Sequence, residues 1–126
     1  RAAAERGDVQ AVKDLLLRGV DVNASSKTGI TALHEAASEG HGPIVRLLVE
    51  TGKVRLRAVT RDGVTVLHMA VSGGHRAVCK YLVARDPGLV NMAEHKGWTA
   101  MHLAAMLGFV STVAYARFLL RGDIIE

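Results

Sequence analysis

One nine-residue string occurs three times in this chain at equal intervals, opening at Gly29, Gly63 and Gly97. Gly29-Ile30-Thr31-Ala32-Leu33-His34-Glu35-Ala36-Ala37 returns as Gly63-Val64-Thr65-Val66-Leu67-His68-Met69-Ala70-Val71, and then as Gly97-Trp98-Thr99-Ala100-Met101-His102-Leu103-Ala104-Ala105. A second marker keeps the same phase: Gly40-His41, Gly74-His75 and Gly108-Phe109. Gly7 precedes Gly40 by almost the same interval, so an earlier copy starts inside its first helix. A fixed period of this length marks stacked supersecondary units, each too small to bury its own apolar face. The chain must then be a one-dimensional array with its core running from unit to unit.

Each copy reads as two short helices and a hairpin. Ala32 to Glu39 is a helical stretch rich in small residues, and Gly40 ends it as a left-handed cap would. Gly42-Pro43 opens the next helix, where proline costs little. Ile44, Val45, Leu47 and Leu48 then recur at helical spacing, and Gly52 closes the segment. Val54 to Gly63 follows as a loop and hairpin with Asp62-Gly63 as its turn. The third copy places Val78, Cys79, Tyr81 and Leu82 in its second helix; the first supplies Val9, Val12, Leu15, Leu16 and Leu17. The boundaries implied are 1–25, 26–59, 60–93 and 94–126 within one domain, 1–126. Gly108 and Gly122 stand further apart than Gly7 and Gly19 or Gly40 and Gly52, so the last helix is expected to be longer or kinked.

The three copies of Thr-x-Leu/Met-His-x-Ala, each followed by a Gly-His or Gly-Phe step, resemble the ankyrin repeat. Gly19-Val20-Asp21-Val22-Asn23-Ala24 resembles the ending of such a unit. The proline usual in the signature is replaced by Ala32, Val66 and Ala100. The resemblance implies an all-α fold, an α-solenoid of paired short helices with β-hairpin loops. It also implies that His34, His68 and His102 tie successive hairpins through backbone hydrogen bonds, and that His41 and His75 are structural.

The resemblance implies a function too: non-enzymatic binding of a protein partner through hairpin tips and the concave side of the first helices. Mapped by phase, the candidates are Lys27, Thr28, Ile30, Ser38 and Glu39; Arg61, Asp62, Val64, Ser72 and Gly73; and His95, Lys96, Trp98, Met106 and Leu107, with Glu5 and Arg6 in the first copy. Trp98, Met106 and Leu107 bring large apolar side chains to an otherwise polar surface, and tryptophan is a frequent hot spot. Leu15, Asp21, Val22 and Asn23 resemble the spacing used by an asparaginyl hydroxylase on such repeats, which makes Asn23 a candidate for modification; read more simply, it is a loop residue that hydrogen-bonds backbone. Asn91 lacks the matching acidic residue.

Other classes find little support in the residues. No G-x-S-x-G, H-E-x-x-H or P-loop pattern occurs, and the carboxylates are scattered, so no catalysis and no cofactor are expected. Histidines spaced by whole repeats with one cysteine do not make a zinc site. Cys79 falls on a core face and fits a reducing, intracellular compartment, cytoplasmic or nuclear. The apolar runs are too short to span a bilayer, and the chain is expected to be monomeric. It begins at Arg1 and lacks polar capping units, as expected of a segment of a longer array. Residues 1–52 hold six basic and seven acidic side chains, whereas 53–126 hold ten and five. Lys53, Arg55, Arg57 and Arg61 form a basic cluster, read either as a solvated loop or as a weak electrostatic site for an anionic partner. Aromatics are only 4%, so nucleic acid is not an expected partner. A regulatory or scaffolding role inside a larger enzyme or channel is the other open reading.

Overall fold

The structure, a computed structural model, describes residues 2–106. Its helices are α1 (Ala2–Arg6), α2 (Val9–Leu17), α3 (Ala32–Glu39), α4 (Gly42–Glu50), α5 (Val66–Ser72), α6 (Arg76–Arg85) and α7 (Ala100–Met106), with a 3-10 turn at Pro87–Asn91. The expected long or kinked last helix, the Gly108-Phe109 step and Leu107 lie outside the described residues.

Two layers result. The short helices α1, α3, α5 and α7 stack in one, and α2, α4 and α6 in the other. Ala36, Ala37 and Ala70 are fully buried, and their size lets the inner helices approach closely. Leu33, Ile44, Leu67, Leu82 and Leu89 form the continuous core between the layers. Of the apolar residues expected from α2, only Val12 is buried outright. Leu17 is 87% exposed, contrary to its expected place in the core, because it sits in the last turn on the outer face.

Helix starts follow a single device. Thr31 caps α3: its Oγ1 accepts the His34 N–H, while His34 Nδ1 accepts the Thr31 N–H. Thr65 and His68 repeat this at α5. Ala32, Val66 and Ala100 are the first helical residues after Thr31, Thr65 and Thr99, so each inner helix starts without the proline. Gly40 ends α3 with φ of 75°, and Pro43 sits in the first turn of α4, as the sequence implies.

The hairpins are more economical than the sequence suggests. No extended strand forms among the described residues; single antiparallel bridges join Ser25 to Thr31 and Ala93 to Thr99. Each turn is closed by two backbone bonds. Gly29 N donates to Ser26 O and Ser26 N to Ile30 O, both at 2.9 Å. Thr60 to Val64 and Glu94 to Trp98 repeat the pattern. The bonds place the residue after the tip in the left-handed region, hence Gly29, Gly63 and Gly97 with φ of 80–86°.

Candidate interaction surface

The histidines join the hairpins into one ridge. Thr31 N–H and Oγ1–H both point at His34 Nδ1, which must therefore be unprotonated, so Nε2 carries the proton. That N–H donates to Val64 O at 3.2 Å, in the next hairpin. His68 does the same to Trp98 O at 2.7 Å. His102 keeps its bonds to Thr99 but is exposed. The role implied for His34 and His68 is thus present, and His75, at the start of α6, reaches Ser38 O at 2.8 Å.

Burial is the main reason that His34 binds a proton less readily than the ordinary value of 6.5. Protonation would also cost it the acceptor at Nδ1. The unfolded chain then holds more protons than the folded one between the depressed value and 6.5, so stability rises with pH across that window. Stability is expected to be complete above the histidine range and to fall as the pH drops through it. Thermal unfolding from neutral to about pH 5 checks this, with a shallower slope in His34→Gln.

The tips are also bonded to one another. Arg61 N donates to Thr28 O at 2.8 Å and His95 N to Asp62 O at 2.9 Å. Lys27, Arg61 and His95 therefore form one exposed column, and Thr28, Asp62 and Lys96 a second. Behind them Ile30, Val64 and Trp98 share a phase; the first two are half-buried and Trp98 is 38% exposed. Trp98 is fixed at its backbone. Its N–H donates to Glu94 Oε1 at 2.9 Å, and its carbonyl accepts from Glu94 N and His68 Nε2. Its ring meets His102 edge-on, with centroids 6.2 Å apart.

The ridge is closely fitted. A Cβ on Gly63 would lie 2.7 Å from His95 Cδ2 and 3.2 Å from its backbone nitrogen, whereas one on Gly97 meets nothing within 4 Å. Both glycines have positive φ. Gly97→Ala is expected to cost about 1 kcal/mol for the left-handed backbone alone. Gly63→Ala should cost more, because it also pushes against the neighbouring tip. Chemical denaturation of the two variants measures the difference.

The other predicted positions are dispersed. Glu39, Ser72 and Gly73 are exposed on the inner helices and Ser38 is half-buried; Arg6 is exposed. Met106 ends α7, but its side chain, like that of Glu5 and the whole of Leu107, lies outside the description. The basic cluster divides. Arg61 belongs to the hairpin ridge, while Arg57 forms a two-pronged ion pair with Asp86, at 2.6 and 2.8 Å. That guanidinium holds the Asp86 carboxyl below its usual range. Burial pushes the Cys79 thiol up to about 11, which leaves it a core residue rather than a nucleophile. No three His, Cys, Asp or Glu side chains come together to hold a metal among the described residues. No described helix is long and apolar enough to cross a membrane.

Asn23 bonds backbone, as its place in a loop implies, and two features go beyond that reading. Asn23 donates through Nδ2 to Lys53 O and accepts from Arg55 N, so it bridges neighbouring loops. Arg57 stands one repeat interval further on and bridges the next pair of loops through Asp86. The common phase of Asn23 and Arg57 was a usable signal. The second feature is an apolar cleft of about 300 Å³ lined by Ala3, Ala4, Val12, Leu15, Leu16 and Val22, among others.

Comparison with known proteins agrees with this architecture. A family model described as ankyrin repeats in three copies matches residues 1–93, and one for a single ankyrin repeat matches 96–125. The liver glutaminase of Rattus norvegicus, a mitochondrial isoform, is 44% identical over 52 residues, 41% of this chain and 9% of that protein. Ankyrin repeat domain-containing protein 40 of Mus musculus is 41% identical over 56 residues, 44% of this chain and 15% of the relative. The mouse B-cell lymphoma 3 protein homolog is 44% identical over 50 residues, 40% of this chain and 11% of the relative. The matched stretches are thus a small part of each relative.

Proposed function

Because this chain belongs to the ankyrin repeat family, we propose that it binds a protein partner along the hairpin ridge and the concave side of its inner helices. Ankyrin repeats are in general protein–protein interaction modules and are typically non-enzymatic. The observation that carries the finer reading is the bonded ridge. Tip-to-tip hydrogen bonds and the His34 and His68 clamps fix the backbone at Thr28, Arg61, Asp62 and His95 before a partner arrives. A surface ordered in advance loses less conformational entropy on binding. Ile30, Val64 and Trp98 supply the apolar contact, and the charged tips set orientation. The setting fits an intracellular protein, where the lone thiol of Cys79 stays reduced. Asn23 remains a modification candidate, with its side-chain amide engaged at both ends.

A photoreactive side chain placed at Thr28 or Lys96 is expected to cross-link a partner in cell extract, and one at Gln10 on the outer face of α2 is not. Cross-linking from Gln10 alone would overturn the reading.

A second reading rests on the small share of each relative that is matched, between 9% and 15% in those above. In it the array docks on another part of a larger parent protein. Binding of this chain, added in trans, to a parent lacking it would favour that reading.

A further inference from the structure

The outer layer carries a second surface, independent of the concave reading. Tyr81 of α6 is flanked by two guanidiniums: Arg46 from α4 lies 5.4 Å from the ring centroid and Arg85 lies 5.9 Å from it. The ring quadrupole attracts both cations and restrains them. Tyr81 Oη is buried without a hydrogen-bond partner among the described residues, so the residue serves here as an apolar platform. Next to Arg85, Asp86 accepts from both Arg57 and Gly88 N. The loop of Arg57 also exposes Lys53 and Arg55, whose backbone is pinned by Asn23. Arg46, Tyr81 and Arg85 thus form a basic band, and the Arg57–Asp86 pair adjoins it where Asp86 caps α6. The Asp86 carboxylate beside it is already paired with Arg57.

We propose that this band is a docking surface for a carboxylate-rich protein segment. Charge complementarity selects an anionic partner. A guanidinium stacked on a ring keeps its N–H edge for two-pronged carboxylate recognition. Among the described residues the exposed large apolar side chains are Leu17, Val20, Val59 and Trp98, none of them on α4 or α6, so these helices offer no wedge for a bilayer. The Tyr81 ring already carries two guanidiniums within about 6 Å of its centroid. A flexible carboxylate-rich segment can meet the paired guanidiniums two-pronged without an apolar wedge.

The test uses the whole chain and a fluorescent peptide of alternating glutamate and serine, with binding read by anisotropy at low salt. Arg46→Gln with Arg85→Gln is expected to weaken binding about tenfold, set against less than about twofold for Lys13→Gln with Arg76→Gln. Both pairs remove the same charge, and circular dichroism verifies that the helices persist. Tyr81→Leu changes no charge and is expected to weaken binding about threefold by releasing the two arginines. Equal losses in the two double variants would reduce the effect to net charge and overturn the proposal. Unchanged binding in Tyr81→Leu would remove the platform. Tighter binding of duplex DNA or of phosphatidylserine vesicles than of the peptide would also overturn it.

Discussion

His68→Ala is expected to lower the stability of the array by about 3 kcal/mol, from lost hydrogen bonds together with the cavity left behind. The imidazole is buried and holds three partners: Thr65 N at 3.2 Å, Thr65 Oγ1 at 2.8 Å and Trp98 O at 2.7 Å. Its removal strands a buried helix-capping threonine and frees the hairpin that carries Trp98. His102→Ala is the control. That residue bonds Thr99 in the same way but is exposed, so its loss should cost less than about 1 kcal/mol. Urea unfolding of both variants separates the cases. Equal costs would show that the bond to the next hairpin contributes little.

Trp98→Ala is expected to weaken a partner complex by more than about 1 kcal/mol while leaving helicity intact. The warrant is positional. The Trp98 backbone is held by Glu94 and His68, so the point from which the ring projects is set before binding. Its ring is packed edge-on against His102 yet remains 38% exposed, a large apolar surface beside charged tips. Calorimetric titration of a recovered partner gives the comparison. An unchanged affinity would remove Trp98 from the binding surface.

The array itself was legible because its signals are local and repeated. The constant interval between copies, the threonine before each inner helix and the glycines after the turns all sit close to what they determine. The histidine clamps came from family resemblance, since nothing in the spacing of His34 alone points to Val64. Long-range pairing was not legible. Arg57 looked like one member of a basic run until Asp86, far along the chain, drew it into an ion pair. Leu17 looked like core because helical spacing gives periodicity, and the end of that periodicity depends on what the last turn packs against. The arginines around Tyr81 come from two helices, and only their side-by-side packing brings them together. The ridge lies between these cases: its residues were found by phase, but the tip-to-tip bonds that make it one surface appear only in three dimensions.

The most direct measurement is a paired capture from cell lysate read by mass spectrometry. One bait is the chain as it stands, and the other carries Arg61→Ala, Lys96→Ala and Trp98→Ala on an intact fold. The ridge reading predicts a protein retained by the first bait and lost from the second. The same proteins retained equally by both would contradict it.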